Sequence, residues 1–185
     1  MRDGQGYHGI PWGSSGRYKR DLFPVLFAKC GFQRGAEIGV RRGEFTRQMC
    51  RANPQLHMLC VDPWAAYGRY SQLRQDGIYA ECLRNLEGCN VTIVRQPSLV
   101  AVLDVPPGSL DFVYIDGHHG FDWVCQDIIQ WSERVRVGGI VAIHDYHYGR
   151  GVDVVEAVNA YTRAHHIDPW YVTKEAQPTA YWVKP

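Results

Sequence analysis

The sequence lacks the features that mark membrane, secreted and nucleic-acid-binding proteins. It has no apolar run long enough to cross a bilayer, and its polar start, MRDGQGYHG, does not resemble a signal peptide. It also lacks an excess of one charge, because 20 basic residues balance 19 acidic ones and no Lys or Arg run occurs. These absences predict a soluble, cytoplasmic protein without a membrane or nucleic-acid partner.

The six cysteines lack the spacing of a zinc site, since no C-x-x-C pair occurs among them. Several lie in apolar patterns, such as Cys60 in LCVD and Cys125 after Phe121. Such surroundings are typical of free, buried thiols in a reducing compartment. We therefore expect neither a disulfide framework nor structural zinc.

The composition that is present fits one globular domain spanning residues 1–185. Apolar residues make up 45% of the chain and charged residues 21%, and this length supports one sizeable core. Glycines at positions 4, 6, 9, 13 and 16 predict that residues 1–20 are mobile. Because no separate lid domain is available, we expect residues 1–20 and the loop 63–76 to shape a pocket.

Short apolar strands alternate with amphipathic helices five times along the chain. Helix starts are predicted at Asp21 and Asp76, whose side chains are suited to N-caps. The predicted strands are AEIGV, residues 56–62, VTIVR, residues 110–116, residues 138–145, WYVT and AYWV. This order predicts an α/β, doubly wound, mainly parallel seven-stranded sheet with helices on both faces and an antiparallel C-terminal edge.

Polar residues follow the carboxyl ends of the first five predicted strands. In doubly wound sheets, ligands bind in the crevice outside these ends. The converging set is Glu37, Gly39, Asp62, residues 95–98, residues 116–119, His144 and Asp145. A fold without a ligand does not require this convergence, so the pattern predicts a binding site at that edge.

The stretch GAEIGVRRGEF turns from a strand into a helix, as nucleotide-binding loops do. Its glycines, Gly35, Gly39 and Gly43, are four residues apart and fail the G-x-G-x-x-G pattern of dinucleotide sites. Glu37 would also repel a diphosphate at short range. An adenosine with cationic groups, as in S-adenosylmethionine, avoids this conflict, and Asp62 is suited to accept both hydroxyls of a ribose.

These motifs resemble those of class I S-adenosylmethionine-dependent methyltransferases. EIGVRRG is similar to their E/D-x-G-x-x-x-G signature, and CVDPW to their acidic second-strand end. IDGHHGFDWVCQDIIQW and GGIVAIHDY are most similar to small-molecule O-methyltransferases of the catechol and macrolide-sugar type. The resemblance implies that S-adenosylmethionine is bound by Glu37, Gly39, Val40, Gly43, Asp62, Trp64, Ser98 and Asp116.

The resemblance also implies roles for the histidines and aspartates of the predicted rim. Asp116 and Asp145 match positions that hold a divalent metal in the metal-dependent members, and His144 lies at a neighbouring position that is acidic in some relatives. An oxygen-rich site favours Mg²⁺, whereas an imidazole favours Mn²⁺, Zn²⁺ or Fe²⁺. His119 matches the general base that removes a proton from the acceptor hydroxyl.

Several simpler interpretations stay open at this point. His118 is interpreted as a hydrogen-bonded support of its loop, and His144 is equally consistent with such a support. Ser98 is equally consistent with a helix N-cap, and Trp64, preferred as a cofactor or pocket contact, also has packing as its alternative. Two other classes of function are also open: a nicotinamide-dependent oxidoreductase, and a module that binds S-adenosylmethionine without catalysis. The acceptor is expected to be a small molecule, and a homo-oligomer is compatible with the sequence.

Overall fold

The computed structural model describes residues 20–185, which form one seven-stranded sheet between two layers of helices. The strands are β1 (Arg34–Ile38), β2 (His57–Val61), β3 (Val91–Val94), β4 (Leu110–Ile115), β5 (Val135–Ile143), β6 (Tyr171–Val172) and β7 (Ala180–Val183). The helices are α1 (Phe23–Lys29), α2 (Glu44–Ala52), α3 (Gln72–Asn85), α4 (Ser98–Ala101), α5 (Phe121–Arg134) and α6 (Val154–Ala164), with one-turn 3-10 helices at Arg20–Leu22 and Val102–Asp104.

The strand order in space is β3-β2-β1-β4-β5-β7-β6. The first five strands are parallel, and β7 is antiparallel to both β5 and β6. The predicted fold class is therefore confirmed, including the antiparallel C-terminal edge. The chain leaves β1 towards β2 on one side and later returns to β4 on the other. This reversal opens a crevice at the carboxyl ends of β1 and β4.

Each face of the sheet has its own apolar core. Phe23 of α1, Phe45 of α2 and Ile78 of α3 pack on one face. Ile128 of α5 and Val158 of α6 pack on the other. Covering on both faces explains why β1 and β4 consist of nearly continuous buried residues. Full burial of each large apolar side chain stabilises the fold by about 1.5–3 kcal/mol.

Two predicted helix caps are wrong. Helix α3 begins five residues earlier than predicted, with Ser71 as the N-cap that accepts a hydrogen bond from the Arg74 N–H. Asp76 lies inside this helix and pairs with Arg95. Asp21 lies in the 3-10 helix Arg20–Leu22, and no side chain caps α1. At Asp76, the carboxylate forms an ion pair with Arg95 instead of capping a helix. At Asp21, a 3-10 helix precedes α1 and takes the place of the predicted cap.

Strand β5 begins three residues before its predicted start. Its register against β4 shifts between Leu110 and Phe112, which accommodates an irregular stretch at the two glycines of the strand. Gly138 has a φ of +76°, and a Cβ on Gly139 would lie 2.4 Å from the Asp111 carbonyl oxygen. The glycines that suggested a strand boundary instead form a bulge within the strand.

All six cysteines are free, as predicted. Cys50, Cys60 and Cys82 are buried, whereas Cys30 is exposed. Among the described residues, no helix has the length and apolarity that a membrane crossing needs. The proposed mobility and pocket-forming role of the N-terminal segment concern residues 1–19, which lie outside the described residues, and Arg20.

Candidate active site

Asp145 lies at the centre of the predicted rim, directly after β5 and His144. Its carboxylate faces three imidazoles: His119 Nε2 is 3.1 Å and His144 Nδ1 3.4 Å from Oδ2, and His147 Nε2 is 3.5 Å from Oδ1. Burial opposes ionisation, but hydrogen bonds from His119 and His144 hold the pKa of Asp145 below its usual range. The structure thus gathers an ionised, mostly buried carboxylate and several imidazoles at one point.

The backbone at Asp145 adopts an unusual conformation that aims this carboxylate. Its φ is +58°, a region that few residues other than glycine adopt. The turn is fixed by the His147 N–H, which donates to the Asp145 carbonyl oxygen at 2.7 Å, and by the Tyr146 N–H, which donates to the Pro178 carbonyl oxygen at 2.8 Å. Such conformations concentrate at functional sites, where the surrounding structure holds them.

His119 reaches Asp145 from the turn between β4 and α5. The carbonyl oxygen of His119 accepts a hydrogen bond from the Asp153 N–H at 2.9 Å, which fixes the turn. The hydrogen bond to Asp145 raises the pKa of the imidazole above its ordinary value. Because Nε2 donates to the carboxylate, Nδ1 is the ring nitrogen left to accept a proton.

His144 connects the two aspartates of the site. Its Nδ1 lies 3.3 Å from Asp116 Oδ1 as well as near Asp145. Its Nε2 lies 3.1 Å from the Nη1 of Arg20, and the same Nη1 is 3.5 Å from Asp116 Oδ2. The structure therefore brings together the three predicted metal ligands and adds an arginine that the sequence did not suggest.

The protonation of His144 follows from its neighbours. Burial alone would lower the pKa of this imidazole, but the hydrogen bonds with Asp116 and Asp145 raise it to about 9. The Arg20 guanidinium at Nε2 favours the opposite, a singly protonated ring, because a guanidinium can only donate. In both states Nδ1 carries a proton and points it at the carboxylates.

The fit of a divalent metal can be judged from this arrangement. Ligand atoms of Asp116, His144 and Asp145 all lie within 4.8 Å of one another, a spacing compatible with one cation. However, His144 Nδ1 lies 3.3 Å from Asp116 Oδ1 and 3.4 Å from Asp145 Oδ2, the spacing of hydrogen-bonded partners, and a nitrogen that donates to carboxylates has no lone pair to offer a metal. Arg20 holds the other ring nitrogen and Asp116. As arranged, these residues do not fit a divalent metal.

Glu37 lies near the carboxyl end of β1 and is almost fully buried, with 2% of its surface exposed. The Thr46 hydroxyl donates a hydrogen bond to its Oε2. Burial raises the pKa of this carboxyl to about 8, although the Thr46 hydrogen bond acts in the opposite direction. Glu37 is therefore a buried, hydrogen-bonded carboxyl group and not a solvated surface group.

Asp62 follows β2, and its carboxylate shapes the loop beyond the glycine turn. Oδ2 accepts a hydrogen bond from the Arg41 N–H at 2.9 Å, and Oδ1 accepts one from the Trp64 N–H at 2.8 Å. Arg41 and Trp64 both have a positive φ, of +52° and +40°. Since each carboxylate oxygen has a second lone pair, the group retains capacity for two more donors.

Trp64, which is predicted to contact the cofactor, has its side chain in the core on one face of the sheet. Its side chain is buried with 1% exposed, and its indole N–H donates to the Arg41 carbonyl oxygen at 2.8 Å. The ring also packs on Tyr79. Burial of this large apolar side chain in the core outweighs an exposed position in the loop between β2 and α3.

The glycine turn places backbone atoms close together at the crevice. Gly39 has a φ of +92°, and a Cβ there would lie 2.1 Å from the Asp116 carbonyl oxygen. The fold itself therefore requires glycine at this position. Val40 is buried in the core, so only its backbone is available to a ligand, and Gly43 precedes α2 with a φ of +76°.

Ser98 has a role that neither prediction named. Pro97, not Ser98, is the N-cap of α4. The Ser98 hydroxyl donates to Asp127 Oδ1 of α5 at 2.5 Å. Asp127 is buried, and burial raises its pKa to about 6 despite this hydrogen bond. The pair joins α4 to α5 next to the crevice, where Gly117 lies against Asp127.

The sequence interpretation missed Arg20 and Asp127. Arg20 is one of several basic residues in RYKRDLF, and its partners follow 96 and 124 residues later in the chain. Asp127 follows Val124 by three residues and precedes Trp131 by four, so it shares the buried face of α5. This spacing is a local signal for a buried carboxylate at Asp127, whereas no local signal distinguishes Arg20.

Comparisons with known proteins identify the family. Residues 36–146 match the protein family described as "Methyltransferase domain". An uncharacterised protein of Acanthamoeba polyphaga mimivirus is 27% identical over 128 residues, which make up 66% of this chain and 56% of that protein. The chain thus spans about half the length of this curated relative.

Solved structures share the fold at low sequence identity. An O-methyltransferase from Bacillus cereus in complex with S-adenosylhomocysteine has a TM-score of 0.67 and 14% identity, covering 92% of this chain and 84% of that chain. An O-methyltransferase from Streptomyces achromogenes, involved in tomaymycin synthesis and bound to S-adenosylmethionine, has a TM-score of 0.62 and 15% identity, with 89% and 79% covered. Because the family match includes the glycine turn, the acidic end of β2 and the histidine rim, the protein belongs to the methyltransferase-domain family and has the fold of class I S-adenosylmethionine-dependent methyltransferases.

Proposed function

We propose that the protein transfers the methyl group of S-adenosylmethionine to a hydroxyl group of a small molecule. The observation that carries this proposal is the His119–Asp145 pair, whose Nε2–Oδ2 distance is 3.1 Å. A hydroxyl must lose its proton as it attacks a methyl group, and an imidazole oriented by a carboxylate is suited to take it. The pair lies at the carboxyl ends of the strands, where this fold binds its ligands.

The crevice offers groups for each part of the cofactor. Asp62 has acceptor capacity for the ribose hydroxyls, and Glu37 is placed to compensate the positive charge of the ammonium group. The backbone of Gly39, Val40 and Gly43 borders the crevice without side chains in the way. Ser98, which follows β3, and its partner Asp127 are the polar groups that we assign to the adenine. These roles rest on position and chemistry.

In the proposed reaction, His119 accepts the proton of the acceptor hydroxyl. As the acceptor oxygen attacks the methyl carbon, its proton moves to His119 Nδ1, and the new O–C bond forms. The C–S bond breaks, and its electron pair stays on the sulfur, which becomes S-adenosylhomocysteine. Asp145 keeps the imidazole in the tautomer with Nδ1 free and stabilises the imidazolium that forms. No step depends on a metal.

The net charge, the cysteines and two exposed aromatic residues support a small-molecule acceptor and a cytoplasmic location. The formal net charge of +1 gives no field that would hold a nucleic acid. The six unpaired cysteines suit a reducing compartment. Tyr67, in the predicted pocket loop 63–76, and Tyr148, three residues after Asp145, are exposed aromatics, and we infer that the acceptor is an organic molecule with an apolar part.

The test is a screen of small alcohols and phenols with S-adenosylmethionine labelled in its methyl group. We expect the label to appear on an oxygen of at least one acceptor, with S-adenosylhomocysteine formed in equal amount. Tight NADH binding without affinity for S-adenosylhomocysteine would instead support an oxidoreductase. Binding of S-adenosylhomocysteine, with no acceptor methylated across chemically diverse panels, would support the module without catalysis.

A further inference from the structure

We propose that Arg20 takes the place of a divalent cation in this active site, so that methyl transfer proceeds without a metal. The inference rests on the proposed function, because it assigns a part in that reaction to Arg20. Its basis is the position of the guanidinium, whose Nη1 lies 3.1 Å from His144 Nε2 and 3.5 Å from Asp116 Oδ2. Arg20 acts through these two residues and is a positioning residue.

The main chain of Arg20 is anchored, so its place in the site is built into the fold. Its N–H donates to Glu175 Oε1 at 2.8 Å, and Glu175 is itself held by the Thr173 hydroxyl at 2.9 Å. This contact joins the start of the described chain to the turn between β6 and β7. The guanidinium then lies 5.0 Å from the centre of the Phe45 ring, which restricts it further.

The charge of the site explains what this cation does. Asp116 and Asp145 end neighbouring strands, and both contact the same ring nitrogen of His144. Two carboxylates so close together repel each other strongly in a partly buried site unless a cation lies between or beside them. A divalent metal is one solution, and a guanidinium with its five donors is another.

Arg20 also bears on the tautomer of His144, whose Nε2 lies 3.1 Å from the Arg20 Nη1 and whose Nδ1 faces both carboxylates. A guanidinium can only donate, so it favours the tautomer in which Nδ1 carries the proton and directs it at Asp116 and Asp145. The His144 ring therefore connects the two aspartates through the proton on Nδ1. A nitrogen that binds a metal must instead offer a lone pair at that position. Arg20 and His144 together fill the role of the cation and its third ligand.

The first experiment measures metal binding directly. Mn²⁺ is added to the full-length protein and to Arg20→Ala, and free Mn²⁺ is followed by electron paramagnetic resonance. We expect no binding to the parent at concentrations where Arg20→Ala binds about one ion, because the variant frees Asp116 and His144. Arg136→Ala is the matched control: Arg136 also pairs with an aspartate and lies 5.5 Å from a phenylalanine ring. It should leave Mn²⁺ binding unchanged.

The second experiment measures turnover with an acceptor found in the screen. The parent should keep full activity in EDTA, while Arg20→Ala should lose about 10–100-fold, the contribution of charge-assisted hydrogen bonds. Millimolar guanidinium or Mn²⁺ should restore part of that loss, which a purely structural role would not allow. Arg136→Ala should respond to neither.

Three results would overturn the proposal: Mn²⁺ binding by the parent at this cluster, normal turnover of Arg20→Ala, or a loss of turnover that neither guanidinium nor Mn²⁺ restores. If Arg20→Ala does not fold, the parent's Mn²⁺ binding and EDTA response still decide between Arg20 and a metal. If no acceptor is methylated, the proposed function fails, whereas the resonance experiment still tests the position of the cation.

Discussion

Strand β4 has an aspartate at each end, and the surroundings of the two carboxylates differ. At the amino end, Asp111 Oδ2 accepts hydrogen bonds from the Gln33 and Arg34 N–H groups at 2.7 and 2.9 Å, and Oδ1 accepts one from Arg136 Nε at 2.8 Å. At the carboxyl end, the contacts of Asp116 with Arg20 and His144 measure 3.5 and 3.3 Å.

Both ends thus combine an aspartate, an arginine and a phenylalanine ring, but only the amino end has the short hydrogen bonds of a purely structural contact. Short, well-directed hydrogen bonds saturate Asp111, and its pKa is lowered because Arg136 and two backbone N–H groups outweigh burial. Longer contacts leave Asp116 able to exchange partners. The same residue types therefore stabilise the fold at one end and prepare a reactive site at the other.

The largest expected effect is at the carboxyl end. His119→Ala should reduce turnover about 10²–10⁴-fold, the usual contribution of a general base, with little change in cofactor affinity. His57→Ala is the matched control, since His57 lies at the amino end of β2 and contacts Thr92. Rates of labelled methyl transfer measure both. Near-normal turnover of His119→Ala would remove His119 from the mechanism.

The second prediction concerns the ribose. Asp62→Asn keeps the shape of the side chain but removes the charge of the acceptor, and charged hydrogen bonds contribute about 1.5–3 kcal/mol each. We expect affinity for S-adenosylhomocysteine to fall about 10–100-fold by titration calorimetry. Equal affinity for the variant and the parent would place the ribose elsewhere in the crevice.

At the amino end we expect an effect on stability alone. Asp111→Ala leaves the Gln33 and Arg34 N–H groups without their acceptor, which should cost about 1–3 kcal/mol in the free energy of unfolding at pH 7. Because the folded-state pKa of Asp111 is lowered, its contribution is present above the ordinary value of 3.8 and is lost as the pH falls below it.

Thermal unfolding of Asp111→Ala and the parent at pH 7 and pH 3 measures this contribution. The difference between the two proteins should be large at pH 7 and small at pH 3. Methyl transfer per folded molecule should be unchanged in Asp111→Ala. A loss of turnover without a loss of stability would show that the two ends of β4 are not functionally separate.

The smallest expected effect is a proton released at Glu37. Its pKa is raised to about 8 in the free protein because the carboxyl is buried, so the group is mostly protonated at pH 7. A cationic ammonium group beside it favours the ionised form, and binding of S-adenosylmethionine should then release up to one proton. Calorimetry in buffers of different ionisation enthalpy measures this release, which Glu37→Gln should abolish.

The same shift makes the folded protein less stable as the pH rises. Since the folded-state pKa of Glu37 exceeds its ordinary value of 4.5, its contribution is fully present below about pH 4.5 and is lost as the pH rises through about 8. Glu37→Gln should flatten this part of the stability profile. An unchanged slope between those two pH values would mean that Glu37 is ionised in the free protein.

The sequence by itself determined the order of the strands and helices, the doubly wound sheet and the edge at which polar residues gather. These follow from local patterns: apolar runs predict buried strands, and parallel strands bring their carboxyl ends to one edge. Glu37, Asp62, Asp116, His119 and Asp145 were found this way because each directly follows or lies in such a run.

Only the tertiary structure decided how those residues are used. Trp64 packs in the core because burial of its large ring is favourable, and Ser98 donates to Asp127 because α4 lies against α5. Arg20 reaches His144 across 124 residues of chain, anchored by a glutamate in the last hairpin. Contacts between such distant segments depend on packing and have no local pattern, which is why the sequence predicted the ligands of a metal while the fold placed a guanidinium among them.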